Sequence, residues 1–124
     1  MDLVRVLNSI GKENFITFYE DYRKYYLSNN KERDRELLAK KLLNSNTKAQ
    51  KISGQYTRIN CARRIFEEKM EREALNIVIN ARVSETIKNK AIELMSELNI
   101  LLDKYWKVRK GYNRFLVERY KDER

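Results

Sequence analysis

The sequence contains no histidine and only one cysteine, Cys61. Histidine is the commonest general base and the commonest metal ligand in proteins, so its absence removes most routes to acid–base or metal chemistry. A single cysteine can form neither an internal disulfide nor a cysteine-based zinc site. A glycine-rich phosphate loop is also missing, which excludes a P-loop nucleotide hydrolase. We therefore expect a cytoplasmic protein that is not an enzyme and holds no metal and no cofactor.

Proline is absent as well, and glycine occurs only at Gly11, Gly54 and Gly111. A β-rich domain needs glycine and proline in its turns, whereas this chain is 36% charged residues, which is typical of helical proteins. The composition predicts an all-α fold: a single compact domain of five to seven helices over residues 1–124, with a frayed tail at 121–124. No apolar run approaches the ~20 residues that span a bilayer, so we expect no membrane partner.

Apolar residues at helical spacing predict where the helices lie. The first segment begins at Asp2 and ends or bends at Gly11. Ser84 precedes the longest periodic stretch and is predicted to be its N-cap. The predicted helices cover residues 2–10, 13–28, 31–43, 47–52, 56–70, 71–80 and 85–110, with a last amphipathic segment at 112–120. The segment 71–80 could continue the preceding helix or follow a kink.

The most distinctive feature of the chain is a long segment without acidic residues, between Glu36 and Glu67. Residues 31–83 hold thirteen basic and seven acidic side chains, and so contribute +6 of the formal net charge of +9. Phosphate attracts lysine and arginine, and the Asn, Gln and Thr residues interleaved with them are side chains that read base edges. We therefore predict a nucleic-acid partner, with DNA favoured over RNA.

Residues 31–70 have the spacing of a helix-turn-helix-like unit. The predicted helices 47–52 and 56–70 are joined by a three-residue turn that contains Gly54. In such a unit the second helix enters the major groove of DNA, and its N-terminal half contacts the bases. The likeness is to the motif alone and covers about a third of the chain.

A helical wheel separates two faces of the helix predicted over 56–70. One face is apolar, and Thr57, Asn60 and Arg64 lie on the opposite face. We predict that these three side chains contact base edges, because Arg pairs with guanine, Asn pairs with adenine and Thr contacts the thymine methyl. Phosphate contacts are predicted for Lys48, Lys51, Arg58 and Arg63.

A second basic patch lies near the C-terminus. Cations and aromatic rings alternate there, an arrangement that can stack on unpaired bases. In the simpler interpretation, which we prefer, Tyr105 and Trp106 close the core and the cations stay solvated. The patch consists of Lys104, Lys107, Arg109, Lys110 and Arg114.

Six aromatic residues crowd the helix predicted over 13–28, and they allow two interpretations. Aromatic residues at helical spacing usually pack in a core. Alternatively, surplus tyrosines could form the surface of a homodimer or of a complex with a protein partner, since tyrosine is enriched at interfaces. The six residues are Phe15, Phe18, Tyr19, Tyr22, Tyr25 and Tyr26.

Together these observations favour a small DNA-binding regulator that uses its central basic helix. The alternative is a helical protein-interaction module, such as a phage-encoded inhibitor or a small subunit of a ribonucleoprotein assembly, whose positive face meets an acidic protein surface. A peripheral membrane protein fits less well, because the basic segments lack a strongly apolar opposite face for insertion.

Overall fold

A computed structural model of the chain describes residues 2–45 and 51–108, with side chains described in 2–45 and 51–100. Every regular element in those residues is an α-helix, and their number agrees with the predicted five to seven. No helix in this part of the chain is long and apolar enough to cross a membrane. The helices are α1 (Leu3–Ile10), α2 (Lys12–Thr17), α3 (Tyr19–Leu27), α4 (Lys31–Ser45), α5 (Ile52–Glu67), α6 (Glu71–Ile79) and α7 (Glu85–Val108).

Helix α1 is capped at both ends. Asp2 Oδ1 accepts a hydrogen bond from the backbone N–H of Arg5 at 3.2 Å, which satisfies one of the unpaired donors of the first turn. At the other end Gly11 has a φ of 93°, and its N–H donates to the carbonyl oxygen of Leu7 at 2.8 Å. A side chain would be strained at this φ, so the predicted end of the helix at Gly11 is confirmed and has a steric reason.

The helix predicted over residues 13–28 is in fact two helices, α2 and α3, so the single-helix prediction is wrong. Phe18, between them, has φ −108° and ψ 21°, which is outside the α-helical range. Its N–H still donates to the carbonyl oxygen of Asn14 at 3.0 Å, and its own carbonyl accepts from the Tyr22 N–H at 2.9 Å. Because the break involves one residue, the apolar spacing continues across it and does not reveal it.

The turn predicted at Gly54 is not formed. Ser53, Gly54 and Gln55 make the first turn of α5, which begins at Ile52. Thr57 Oγ1 donates to the carbonyl oxygen of Ser53 at 3.2 Å across this turn. Glycine costs a helix roughly 1 kcal/mol relative to alanine, and burial of the apolar residues further along α5 outweighs that cost. The helix-turn-helix-like unit drawn with its turn at Gly54 is therefore wrong.

Helices α5 and α6 are separate, which decides the alternative left open for residues 71–80. Lys69, between them, has a φ of 57°. The Met70 N–H donates to the carbonyl oxygen of Ile65 at 2.9 Å, and the Lys69 N–H donates to that of Phe66 at 3.1 Å. This pair of bonds is the Schellman motif that ends many helices, usually with glycine at the left-handed position. Here the residue at that position is Lys69, so the sequence contains no glycine that would mark the end of the helix.

Helix α7 begins where the sequence predicted. Ser84 Oγ accepts a hydrogen bond from the Ile87 N–H at 3.3 Å, so its role as N-cap is confirmed. The helix continues to Val108 and packs against α6 and α2. Lys90 Nζ also donates to the carbonyl oxygen of Thr17 at 3.2 Å. These contacts join the C-terminal half of the described chain to its N-terminal helices.

Helix α5 is the central element of the fold. It packs against α1, α3 and α4, and its C-terminal end contacts α6. Its buried residues are Gln55, Ile59, Ala62, Ile65 and Phe66. Because neighbouring helices cover it on several sides, only a narrow face of α5 remains exposed.

The N-terminal aromatic residues pack around Phe66 of α5. The rings of Tyr19 and Tyr26 lie with their centroids 5.3 and 5.9 Å from that of Phe66, and the Phe15 ring lies at 6.2 Å. Phe18 and Tyr26 are partly buried against this core, and the other four aromatic residues are buried in it. The core interpretation is therefore confirmed, and a homodimer or protein partner through this helix remains a prediction.

Candidate nucleic-acid interface

Thr57, Asn60 and Arg64 share the exposed face of α5. All three are exposed, whereas Ile59 and Phe66 on the other side of the helix are buried. The two faces drawn from the sequence are therefore confirmed. Their spacing of three and then four residues places the three side chains along one line over about two turns. Contact of this line with nucleic acid remains a prediction.

The exposed face of α5 changes in charge along its length. Its first turn contains no acidic residue, and its N-cap, Lys51, supplies no side-chain hydrogen bond to the helix. The backbone N–H groups at a helix N-terminus carry a partial positive charge, and no acidic side chain of this turn opposes it. Arg64 adds a full positive charge, and the exposed Glu67 ends the face with a negative one. A polyanion is favoured along the face up to Arg64 and disfavoured at Glu67.

Arg58 supports the fold, although the sequence predicted a phosphate contact for it. Its Nη1 donates to Gln55 Oε1 at 2.8 Å, and Gln55 is only 3% exposed. Gln55 Nε2 in turn donates to the carbonyl oxygen of Lys51 at 3.4 Å. Burial raises the pKa of the Tyr22 hydroxyl, and the nearby charge of Arg58 opposes that rise. Arg58 is thus half-buried and hydrogen-bonded within the protein, which leaves it less available to phosphate.

Arg63 faces a groove between α4 and α5 and is not part of the line formed by Thr57, Asn60 and Arg64. Its Nε lies 3.9 Å from Glu67 Oε2, which is too far for a hydrogen bond. That Nε is buried and has no hydrogen-bond partner in the described part of the chain. The side chain as a whole is 42% exposed. Arg63 is thus ion-paired with Glu67 and partly exposed, so its charge is only partly available to a phosphate.

The groove has a volume of about 520 Å³ and combines cations, carboxylates and aromatic rings. The guanidinium carbon of Arg35 lies 4.7 Å from the centre of the Tyr56 ring, a cation–π contact between α4 and α5. Glu36 Oε1 is paired with Lys40 Nζ at 3.3 Å. The groove is lined by Tyr25, Lys31, Glu32, Arg35, Glu36, Tyr56 and Arg63.

Several of the predicted basic contacts lie outside the described residues. They are Lys48, Arg109, Lys110 and Arg114. Lys104 and Lys107 belong to α7, but their side chains are also outside the described part. Of the short helix predicted before α5, residues 47–50 lie outside as well, and Ile52 belongs to α5 itself. Lys51 is described and is exposed at the start of α5.

Besides Tyr22, a carboxyl at the start of α6 and the single thiol, in α5, have raised pKa values. Burial raises the pKa of the Glu71 carboxyl, a backbone hydrogen bond opposes that rise, and nearby Glu73 adds to it. Burial also raises the pKa of the Cys61 thiol, which disfavours the nucleophilic thiolate. Within residues 2–45 and 51–100, no group of three histidine, cysteine or carboxylate side chains is placed to hold a metal ion.

The groove and the buried Gln55 are the features that sequence reasoning missed. The charged residues of α4 follow the pattern of a solvated helix face, and only the placement of Lys31 and Arg35 four residues apart hints at a shared side. Their neighbour Tyr56 is far away in the sequence, so the groove depends on how α4 packs against α5. Gln55 is a polar residue within a predicted turn, and nothing in its sequence context indicates burial.

Comparison with known proteins finds no family model, no curated protein and no solved structure that matches this chain.

Proposed function

We propose that the protein is a small DNA-binding regulator that contacts DNA through the exposed face of α5. The observation that carries the proposal is the line of Thr57, Asn60 and Arg64, exposed on a helix whose other side is buried in the core. These three residue types hydrogen-bond to base edges or contact the thymine methyl, and an α-helix fits the width of the major groove. The fold itself does not require such side chains at exposed positions.

The charge around this face supports a polyanionic partner. Residues 37–66 contain no acidic side chain, and the chain carries a formal net charge of +9. Such a charge raises the rate of encounter with DNA and supplies sequence-independent affinity that falls as salt concentration rises. Lys51, exposed at the start of α5, is placed to contribute to that attraction.

The mode of contact differs from the helix-turn-helix drawn from the sequence. Helix α5 is a continuous helix supported by α1, α3 and α4, and it presents one face rather than one end. Support from three helices holds the polar line in a fixed orientation, and pre-organisation of this kind reduces the entropy lost on binding.

Substitution of Arg64 tests the proposal most directly. We expect Arg64→Ala to weaken binding to duplex DNA about five- to 150-fold, because a base-edge arginine contributes roughly 1–3 kcal/mol. The measurement is fluorescence anisotropy with duplex DNA, single-stranded DNA and structured RNA at two salt concentrations. Arg82→Ala is the matched control, since Arg82 is an exposed arginine on the connection between α6 and α7. Equal affinities of the two variants for every ligand would overturn the assignment of this face.

A protein-interaction module is the second candidate, and exposed leucines favour it. Leu27 of α3 and Leu37 of α4 are 60% and 57% exposed, on helices that pack against each other. Exposed apolar side chains of this size are available to a protein partner. If the wild-type protein binds no nucleic acid near physiological salt, this candidate replaces the first.

A further inference from the structure

The groove between α4 and α5 lies beside the polar line of α5. Tyr56 and Arg63 line the groove, and Asn60 lies between them at positions i, i+4 and i+7 of the same helix. Asn60 also belongs to the line with Thr57 and Arg64. A nucleic-acid strand that follows the polar line would therefore pass along the edge of the groove.

Arg35 and Tyr56 give the groove a surface on which a base can stack. The Arg35 guanidinium covers the Tyr56 ring at 4.7 Å, so this contact holds the guanidinium in place. Unpaired bases stack on guanidinium planes and on aromatic rings in single-strand recognition. The volume of about 520 Å³ lies in the range of roughly 300–1,000 Å³ that small-ligand sites occupy.

Two carboxylates in the groove determine which type of base it favours. Glu36 is neutralised by Lys40, whereas Glu32 forms no ion pair within the described residues. A carboxylate repels phosphate, but it accepts hydrogen bonds from the exocyclic amino group of a base such as cytosine. Uracil presents a carbonyl oxygen at the same position, and this would face the carboxylate unfavourably.

Arg63 supplies a partner for the phosphate of the same nucleotide. Its Nε is buried and lies 3.9 Å from Glu67 Oε2 in a long ion pair, while the side chain as a whole is 42% exposed, so a phosphate would contact the exposed part of the side chain. Arginine binds phosphate oxygens through its charge and its fork of N–H donors. The groove therefore offers a stacking surface, a carboxylate acceptor and a cation, which match the base, the amino group and the phosphate of one nucleotide.

We propose that this groove holds one unpaired, amino-bearing base of a DNA strand that runs along α5. The base stacks on the Arg35 guanidinium, its amino group donates to Glu32, and its phosphate contacts Arg63. This inference rests on the proposed function, because the strand is held in part by the polar line of α5. It adds single-stranded DNA, and an unpaired position within a duplex, to the ligands that α5 binds.

The test compares oligo-dC with oligo-dU by fluorescence anisotropy at pH 8, in the wild-type protein and in Glu32→Gln/Glu36→Gln. Cytosine and uracil have the same size and differ at the edge that would face the carboxylates. We expect the wild type to bind oligo-dC about five- to tenfold more tightly, and the double variant to lose this preference. Removing two negative charges strengthens both complexes, so the ratio of the two affinities is the quantity that reports the groove. Glu13→Gln, an exposed substitution on α2, is the control.

A second variant separates stacking from charge. Arg35→Lys keeps the positive charge but loses the guanidinium plane, so we expect it to weaken binding of both oligonucleotides about fivefold or more while duplex binding is unchanged. Arg35 is exposed, and its substitution leaves the core intact.

The possible outcomes are distinguishable. Equal binding of oligo-dC and oligo-dU by the wild type, or a preference that persists in the double variant, would overturn the groove proposal while binding through α5 still holds. Free dCMP that binds as tightly as oligo-dC would also overturn it, since the ligand would then be a mononucleotide. Absence of binding to all DNA would overturn the groove proposal and the proposed function together.

Discussion

The two faces of α5 differ in their contacts with the rest of the molecule: one is buried against neighbouring helices and the other is exposed. The inner face carries Ile59, Ala62 and Phe66, which pack against α1, α3 and α4. The outer face carries polar side chains that the fold leaves exposed. Substitutions on the inner face should therefore change stability, and substitutions on the outer face should change binding alone. Gln55 and Arg58 lie between these two cases, because they are polar residues used by the fold.

The largest effect on stability is expected from Phe66→Ala. Phe66 joins the aromatic rings of α2 and α3 to α5, and truncation of a buried phenylalanine costs about 3–5 kcal/mol. The measurement is the free energy of unfolding from urea denaturation followed by circular dichroism. Phe66→Leu keeps most of the apolar volume and should lose less. Equal losses in the two variants would mean that the ring contacts, and not the apolar volume that leucine retains, account for the stabilisation by Phe66.

Arg58→Ala should have the next largest effect. It leaves the Oε1 of Gln55 unpaired at a buried position, and this costs about 1–3 kcal/mol. The same denaturation experiment measures the loss. Replacing both partners, in Gln55→Leu/Arg58→Leu, should recover part of it because no buried polar group is left unpaired. A single variant as stable as the wild type would place Arg58 on the outer face after all.

Lys69→Gly should raise stability by about 1 kcal/mol. Lys69 has a φ of 57°, and glycine adopts this conformation without the steric penalty of a side chain. Thermal unfolding measures the gain as a higher midpoint temperature. Because Lys69 lies beyond the end of α5, binding of DNA along the line of Thr57, Asn60 and Arg64 should be nearly unchanged. A large loss of affinity would extend the interface past Glu67.

The smallest change in stability is expected from Thr57→Ala/Asn60→Ala, which replaces exposed polar side chains of α5. Surface substitutions of this kind usually shift the free energy of unfolding by less than about 0.5 kcal/mol. DNA affinity, measured by anisotropy, should nevertheless fall. Loss of stability together with unchanged affinity would mean that the outer face of α5 stabilises the fold and does not bind DNA.

Local residues predicted much of the fold. Apolar spacing located α1, α4, α6 and α7, and Gly11 and Ser84 marked helix ends because their local chemistry is specific. The predicted turn at Gly54 was wrong because a glycine that is tolerated inside a helix has the same local appearance as a glycine in a turn. The helix breaks at Phe18 and Lys69 were not predictable, since neither phenylalanine nor lysine is typical of a helix end.

The residues of the candidate site were likewise predictable from the sequence only in part. The helical wheel was enough to predict that Thr57, Asn60 and Arg64 are exposed, because the apolar spacing of one helix defines both of its faces. It could not separate these residues from Arg58 and Arg63, whose positions depend on neighbouring helices.

By itself the sequence determined that the chain is helical, which side of α5 is buried and where the positive charge concentrates, since periodicity and composition act over a few residues. Only the tertiary structure decided that Arg58 binds Gln55, that Arg35 covers Tyr56 and that a groove opens between α4 and α5. These contacts join residues on different helices or require a buried environment. They arise from packing, which no local pattern encodes.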